Sequence, residues 1–460
     1  MPSVDTTTLR LSETLGGVSA TCLWLVWSGL GAALPLRLED QRQVLGRGPE
    51  CDAQLEFPGV SRRHAELFRQ GPLHEVQDLG STNGTFLNGQ RLTSPSALSP
   101  GDVLRLGDAV AVVVPRQLDQ PAPGAEEVLP GLLFGPGMTA LRDVIRRVAR
   151  ETLPVMLEGP TGAGKEGLAR LLHVESGRSG ALQAVNCGAL PPSLAEAELF
   201  GYRKGAFTGA EQAALGHVRA SSGGTLFLDE LYDLAPSVQA KLLRVIQEQQ
   251  VVPLGETRPI SVDLRLIAAS PVPIRQLVES GRLREDLAAR LSGIVLNVPS
   301  LQERRADIPI LLGHFLHRYS GGRAPGVDGR LLEHLLLRPW PGNVRELELL
   351  ARRLLALNGS ATVLRKSHVD LAPQAPKTSP SPSPRRALPE QGDEDLRRLR
   401  DALVGHGNLS RAAREAGISR QRAYRLLGDR SPAELLADAG FEAQAELVTS
   451  ACEPSRKNDE

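Results

Sequence analysis

The stretch "VMLEGPTGAGKEGLARLLH", residues 155–173, leaves few folds open to this chain. A short apolar run passes into a glycine-rich loop and then into an amphipathic helix. Gly159, Gly164 and Lys165 stand at the GxxxxGK spacing of a phosphate loop. Glycines let backbone N–H groups turn inward on an anion, and the helix N-terminus that follows adds its positive dipole end. Lys165 supplies a point charge for the outer phosphates. Further along, "GGTLFLDE" (residues 223–230) reads as a buried strand ending in two acids. Asp229 at that strand end suits a magnesium ion, directly or through water, and Glu230 suits a base that polarises an attacking water. The two halves in this order read as an NTPase. Glu166 stands where the simple motif has Ser or Thr.

The rest of the chain places this unit in the middle. A chain of 460 residues predicts about three domains. Charge balances at 53 basic against 53 acidic side chains, which excludes a globally basic nucleic-acid coat but not a local patch. Cys22, Cys51, Cys187 and Cys452 lie far apart with no CxxC, so disulfides and structural zinc are disfavoured and a reducing cytoplasm fits. The apolar run from Thr21, "TCLWLVWSGLGAALPL", is short for a membrane span and reads as an opening strand or two. The expectation is a cytoplasmic protein without a membrane segment. Alternating short strands with turns at Asn83-Gly84 and Asn88-Gly89 predict an all-β sandwich over residues 22–114, closed by the strand pair in "PGDVLRLGDAVAVVV". Residues 115–131 read as a Pro/Gly/acid linker, and residues 132–370 as an α/β domain of strands alternating with amphipathic helices. Residues 371–392 are a Pro/Ser-rich tether, 393–428 a small helical domain and 429–460 an Ala/Glu-rich tail.

The central motifs resemble the AAA+ ATPase, with its helical lid, of bacterial enhancer-binding proteins, which activate sigma-54 RNA polymerase holoenzyme. They run in family order: "GPTGAGKE", "VNCGAL", "ELFGYRKGAFTGA", "GGTLFLDE", "LREDLAARL", "LQERRADIP" and "WPGNVREL". The resemblance accounts for Glu166, which that family carries after the lysine. It implies ATP and Mg2+ as cofactors, with Gly159, Pro160, Thr161, Gly162, Ala163, Gly164, Lys165 and Glu166 around the nucleotide and Asp229 on the metal. It also implies Asn186 as the switch that holds the catalytic Glu230. Arg284 and Arg290 would be arginine fingers reaching the neighbouring subunit of a homo-oligomeric ring, a hexamer, and Arg345 a sensor within its own subunit. Six residues turn a continuous helix by about 600°, so the two fingers cannot share one face of such a helix. The loop Gly205, Ala206, Phe207, Thr208, Gly209 and Ala210 would rise with nucleotide state and touch sigma-54 through Phe207 and Thr208. One departure stands out: the family's "AATN" sensor reads here Ala268, Ala269, Ser270, Pro271.

The two ends resemble recognition modules. "LGRGPECDAQL", "VSRRHAELF" and "DLGSTNGTFLNG" resemble a forkhead-associated (FHA) domain, which binds phosphothreonine on another protein or on a segment of its own oligomer. Phosphate needs charge-assisted donors on loops, so Arg47 and Ser61 are the first candidates, with Arg62, Thr82 and Asn83 shaping the contact to the peptide backbone. His64 is expected to brace the loops. "GNLSRAAREAGISRQRAYRLLG" resembles a Fis-type helix-turn-helix. The turn at Gly417 and the Ser419 cap would set a recognition helix in the major groove of upstream double-stranded DNA. Gln421 and Arg422 are its base readers and Arg425 a phosphate contact, with Arg420 and Tyr424 on the same helix. The expected function is an ATP-driven transcription activator with a phosphothreonine input. The rival, motivated by Ser270-Pro271, is a phosphopeptide- and DNA-binding regulator with a degraded ATPase.

Overall fold

The computed structural model describes residues 21–29, 32–117, 125–207 and 209–370, and within the C-terminal part residues 399–403, 412–413 and 415–417. The chain divides into a unit ending at Pro373 and a second from Gln374. In the second unit Leu399, Leu403, Ala412 and Ala413 are buried. Ser419, Arg420, Gln421, Arg422, Tyr424 and Arg425 lie outside the described residues, as does Thr208.

The first unit opens with strands β1 (Thr21–Gly29), β2 (Ala32–Arg37), β3 (Gln43–Gly46), β4 (Ala53–Gln54), β5 (Ala65–Gln70), β6 (Leu73–Asp78), β7 (Thr85–Leu87), β8 (Gln90–Arg91), β9 (Ser96–Ala97), β10 (Val103–Leu106) and β11 (Ala109–Gln117). They form two sheets, β2-β1-β11-β10-β7-β8 and β4-β3-β5-β6-β9. The apolar run from Thr21 is a strand pair, as expected. Asn88-Gly89 makes the tight turn between β7 and β8, with both residues at positive φ (51° and 80°). The sandwich core holds Leu25, Leu45, Leu67, Val76, Leu104 and Val113. Strands β10 and β11 do more than close it. Ala109, Ala111 and Val113 face the sandwich interior, while Val103, Val110 and Val112 belong to a second core shared with helices further along the chain. Burial on both faces explains why "AVAVVV" carries no polar alternation.

The expected linker 115–131 is shorter than its composition suggests. β11 runs to Gln117, and β12 (Glu126–Leu129) pairs with β13 (Leu132–Phe134) before α1 (Thr139–Val148). The α/β layer follows: β14 (Val155–Glu158), α2 (Lys165–Ser176), β15 (Leu182–Asn186), α3 (Ala195–Phe200), α4 (His217–Ala220), β16 (Thr225–Asp229), α5 (Pro236–Glu248), the short ladder of β17 (Gln250–Val251) with β18 (Ile260–Ser261), β19 (Arg265–Ser270), α6 (Ile274–Glu279), α7 (Glu285–Leu291) and β20 (Ile294–Asn297). Its sheet is parallel throughout, in the order β15-β16-β19-β14-β20. The period of two sorts side chains cleanly: Met156, Leu226, Leu228, Leu266 and Ala268 enter the core on one face, Val155, Leu157, Phe227, Ile267 and Ala269 the other. Glu158, Asn186, Asp229 and Ser270 therefore arrive together at the carboxyl edge, where open α/β sheets place their sites. A helical lid closes the unit, with α8 (Ile308–Tyr319), β21 (Gly326–Val327), α9 (Gly329–Leu337), α10 (Asn343–Leu357), β22 (Val363–Leu364) and α11 (Lys366–Asp370). Its core of Leu312, Phe315, Leu331, Leu335, Leu347 and Leu354 is the one that Val103, Val110 and Val112 join.

Candidate functional site

The loop between β14 and α2 has Gly162 and Gly164 at φ of 77° and 104°, backbone positions that side-chain-bearing residues rarely adopt. What aims it is the lid. Three successive loop carbonyls are taken by lid donors: Thr161 O by Asn343 Nδ2 (3.0 Å), Gly162 O by Val344 N (3.0 Å) and Ala163 O by Arg304 Nη2 (2.7 Å). With its carbonyls drawn towards the lid, the loop can present N–H groups to an anion. Asn343 itself sits at φ 52°, is buried, and accepts from Leu301 N through Oδ1 (2.8 Å). Arg304 is buried beside Asp307, whose carboxyl burial pushes up to about 6 despite that guanidinium. Arg345 is the residue expected from "WPGNVREL"; Asn343 and Arg304, which hold the loop, were not expected from the sequence.

Lys165 is buried, and Nζ donates to Gly159 O (2.6 Å) and Pro160 O (3.2 Å). Burial lowers its pKa, while Asp229 and Glu230 act the other way. Arg345, exposed on α10, lies against Gly162 in its own chain: a Cβ at Gly162 would be 3.3 Å from Arg345 Cβ. The acids meet Asn186 at Gly188. A Cβ there would lie 2.8 Å from Glu230 Oε2, 3.1 Å from Asp233 Oδ2 and 3.3 Å from Asn186 Oδ1. Glu230 is held at φ 53°, and its N–H donates to Asp229 Oδ1 (3.1 Å). A non-glycine residue in that region costs roughly 1–3 kcal/mol and marks a position the surroundings dictate. Gly188, although it lies within "VNCGAL", and Asp233 were not among the sequence candidates. Cys187 faces the same acids and is buried, which pushes its thiol up to about 12, so it stays neutral. The set of inward N–H groups, a buried ammonium and strand-end carboxylates fits a nucleoside triphosphate with a hard divalent cation.

Three further expectations meet the structure here. Helix α7 begins after Arg284, which caps it in an extended conformation (ψ 138°), so Arg284 and Arg290 do not share one continuous helix. Both are exposed. Ser270 is buried and its Oγ is committed locally, donating to Val272 O (2.6 Å) and accepting from Val272 N (3.2 Å). Phe207 is only partly exposed, at 37%, and its ring meets Tyr202 edge-on with centroids 5.0 Å apart. Gly205, Ala206, Gly209 and Ala210 form a closed turn, with Gly205 N donating to Ala210 O (2.8 Å) and Ala210 N to Phe207 O (3.0 Å).

In the sandwich, the loops bring the phosphopeptide candidates together. Arg47 N donates to Ser61 O (2.9 Å), Gly48 N to Arg62 O (2.9 Å), and Thr82 N to Ser61 Oγ (3.1 Å). Arg47, Arg62, Thr82 and Asn83 are exposed around half-buried Ser61. His64 is fully buried: Nδ1 accepts from Ser61 N (3.0 Å), which leaves Nε2–H to donate to Gly84 O (3.3 Å). It braces the loops, as expected. Asp78 gathers Ser81, Thr85 and the Gly80 and Ser81 N–H groups; these hydrogen bonds outweigh its burial and hold it below the usual carboxylate range.

The His64 geometry carries a pH prediction. Burial lowers its pKa by stripping water from the charged form, against the Gly84 carbonyl and Asp78, which act the other way; a proton on Nδ1 would also meet the Ser61 N–H. The unfolded chain therefore binds this proton more readily than the folded one. The sandwich keeps its full His64 contribution above about pH 6.5 and loses it as pH falls below that, towards the lowered folded value. Thermal unfolding between pH 7.5 and 5 should show this loss, and His64→Gln should remove it. A fall in Tm that is unchanged in the variant would overturn the assignment.

The fold and site define an AAA+ nucleotide-binding domain with its lid, joined to a β-sandwich. Residues 134–297 match the sigma-54 interaction domain family, residues 302–385 the AAA+ ATPase lid domain and residues 44–107 the FHA domain. The C4-dicarboxylate transport transcriptional regulatory protein DctD of Rhizobium meliloti is 39% identical over 315 residues, covering 67% of this chain and 66% of its own. The transcriptional regulatory protein ZraR of Salmonella typhimurium is 38% identical over 332 residues, covering 70% and 75%. The crystal structure of NtrX from Brucella abortus in complex with ATP is 32% identical and covers 63% of this chain and 67% of that one, with a TM-score of 0.47. The chain belongs to the family of transcriptional regulators built on a sigma-54 interaction domain, and it carries an FHA domain as well. Among the described residues, no helix is long and apolar enough to cross a membrane.

Proposed function

We propose that this protein is a cytoplasmic, ATP-driven activator of sigma-54 RNA polymerase holoenzyme, tethered to upstream DNA and switched by phosphothreonine. The observation that carries the reading is the packed segment that joins the acids to the Phe207 turn. Asn186 lies at Gly188 beside Glu230, and α3 leads from there to Gly201, where the chain crosses Leu215 and Gly216 at backbone contact before the turn begins. A change at the γ-phosphate end of the site has a packed route to Phe207. Glu230 would orient the attacking water, Asn186 would hold or release Glu230, and Lys165 with the inward N–H groups would bind the phosphates. Asp229 would hold Mg2+, which when bound supplies charge to the phosphate oxygens. Arg284 and Arg290 would act on the neighbouring subunit of a hexameric ring. Arg47 and Ser61 would bind the phosphate of a phosphothreonine, on another protein or on the oligomer itself, with Asn83 at the peptide main chain. Residues 419–425 would read DNA.

A second reading has its own observation. The Ser270 hydroxyl is spent on Val272, and Pro271 offers no amide, so the strand-end sensor has no free donor. A chain of this kind could bind phosphopeptide and DNA without turning over ATP. Steady-state ATP hydrolysis by the purified protein separates the two, with Lys165→Ala as the blank. Turnover above the blank is expected. Turnover equal to Lys165→Ala, with ATP still bound by the parent, would establish the non-enzymatic reading.

A further inference from the structure

We propose that the sandwich is built into the ATPase lid as one mechanical unit, so that nucleotide state and phosphothreonine occupancy are linked through the Arg105–Glu333 and Asp108–Gly329 contacts. The proposal rests on the phosphothreonine reading for its second ligand and on geometry for everything else.

The interface has the character of a domain interior. Val103, Val110 and Val112 of β10 and β11 are packed among Leu312, Phe315, Leu331 and Leu335 of the lid, all buried. Across it Arg105 Nε donates to Glu333 Oε2 at 2.7 Å, with side chains only 8% and 10% exposed. The Arg105 guanidinium also lies 3.9 Å over the Phe86 ring and donates to Gly107 O (3.2 Å). Separating such a pair strands two charges in an apolar setting, so the contact resists gradual loosening. Beside it Gly329, the first residue of α9, donates its N–H to Asp108 Oδ1 (3.2 Å). A Cβ at Gly329 would stand 2.5 Å from Asp108 Cα and 2.8 Å from Asp108 O. Backbone meets backbone there, and no other residue fits without moving the two apart.

The same loop touches the phosphopeptide side. Asp108 N donates to Pro58 O (3.0 Å), and Asn83 Nδ2 donates to Gly59 O (2.8 Å). Three hydrogen bonds thus join Asn83, one of the residues assigned to the peptide, to the start of α9. A second link leads to the nucleotide. Arg305 Nη1 donates to Gly101 O of the sandwich (3.1 Å), while its neighbour Arg304 holds Ala163 O of the phosphate loop (2.7 Å). Adjacent residues thus grip the sandwich and the phosphate loop. A ligand that shifts the lid must carry the sandwich with it or change these contacts, and where both ligands bias the same arrangement of the contacts, each alters the affinity for the other by the same factor.

Hydrogen exchange on the full chain tests this with nucleotide alone. A non-hydrolysable ATP analogue should change exchange in residues 99–112 of the sandwich as well as around the phosphate loop. Gly329→Val wedges the contact apart and should confine the change to the ATPase; Glu333→Ala should do the same and serves if the valine variant fails to fold. No change at 99–112 in the parent, or an undiminished one in the variants, would overturn the proposal. In the second arm, a degenerate phosphothreonine peptide library should bind the parent about fivefold or more differently with and without the analogue. That difference should vanish in Glu333→Ala, and Arg47→Ala supplies the blank. A library that binds equally in both nucleotide states defeats the linkage. A library that never binds defeats the phosphothreonine reading, and with it that half of the proposal, while the exchange arm still decides whether sandwich and lid move together.

Discussion

Arg290→Ala is expected to lower ATP turnover by about 10³ or more while leaving ATP binding near the parent level, the signature of an arginine finger supplied by a neighbour. The residue sits in the last turn of α7, exposed, and among the described residues no ion pair holds it. Arg284 presents differently. Asp286 spans its guanidinium through Nε (3.0 Å) and Nη2 (2.7 Å), and that hydrogen-bonded pairing raises the arginine pKa and lowers that of Asp286. Both groups are exposed, so water screens the pairing and a doubly charged phosphate can compete for the fork. Neither guanidinium donates to the phosphate loop of its own chain among the described residues. Arg284→Ala should therefore fail in the same way, with binding kept and hydrolysis lost. Nucleotide affinity by calorimetry, set beside steady-state turnover on the full chain, checks both. If both single variants hydrolyse ATP at the parent rate, the fingers lie elsewhere and the ring has lost its main support.

The parts of this site that were legible in the sequence are the local ones. A phosphate loop declares itself because its glycines, lysine and helix are consecutive, and Asp229 and Glu230 declare themselves because a buried strand runs straight into them. The groups that aim the loop are distant: Asn343 and Arg304 reach Thr161 and Ala163 from 182 and 141 residues away, and neither spacing has a period to detect. Arg105 and Glu333 are separated by 228 residues. Yet one trace of that interface was present. "AVAVVV" does not alternate, as a strand with one wet face would, and both its faces prove to be buried. Expected as part of a closing strand pair of the sandwich, it also packs against the lid. The linker was over-read for the opposite reason, since its Pro/Gly content hid the β12–β13 pair and the last residues of β11. Arg284 and Arg290 are not bound by the turn of about 600° that a continuous helix would impose, because α7 starts one residue after Arg284.

Phe207→Ala should leave ATP hydrolysis within about twofold of the parent and abolish transcription from a sigma-54 promoter. Among the described residues, the Phe207 ring pairs with the Tyr202 ring and not with a nucleotide-site residue. It leans edge-on against Tyr202, at an interplanar angle of 62°, and Phe207 as a residue is 37% exposed. An aromatic side chain half-seated in this way can exchange a small internal contact for a larger one on a partner, and large aromatic anchors dominate interface energies. The turn that carries it is held by Gly205 N to Ala210 O and Ala210 N to Phe207 O, backbone bonds that alanine preserves, so the variant removes the anchor without unmaking its mount. Tyr202→Ala provides the complementary test. It takes away the internal seat while leaving Phe207 in place, and should weaken activation less than Phe207→Ala does. Open-complex formation on a sigma-54 promoter, followed together with ATP turnover in the same preparation, separates loss of contact from loss of energy supply. Full transcription by Phe207→Ala would place the sigma-54 contact elsewhere. A matching collapse of ATP hydrolysis would make the ring a structural part of the ATPase rather than its output.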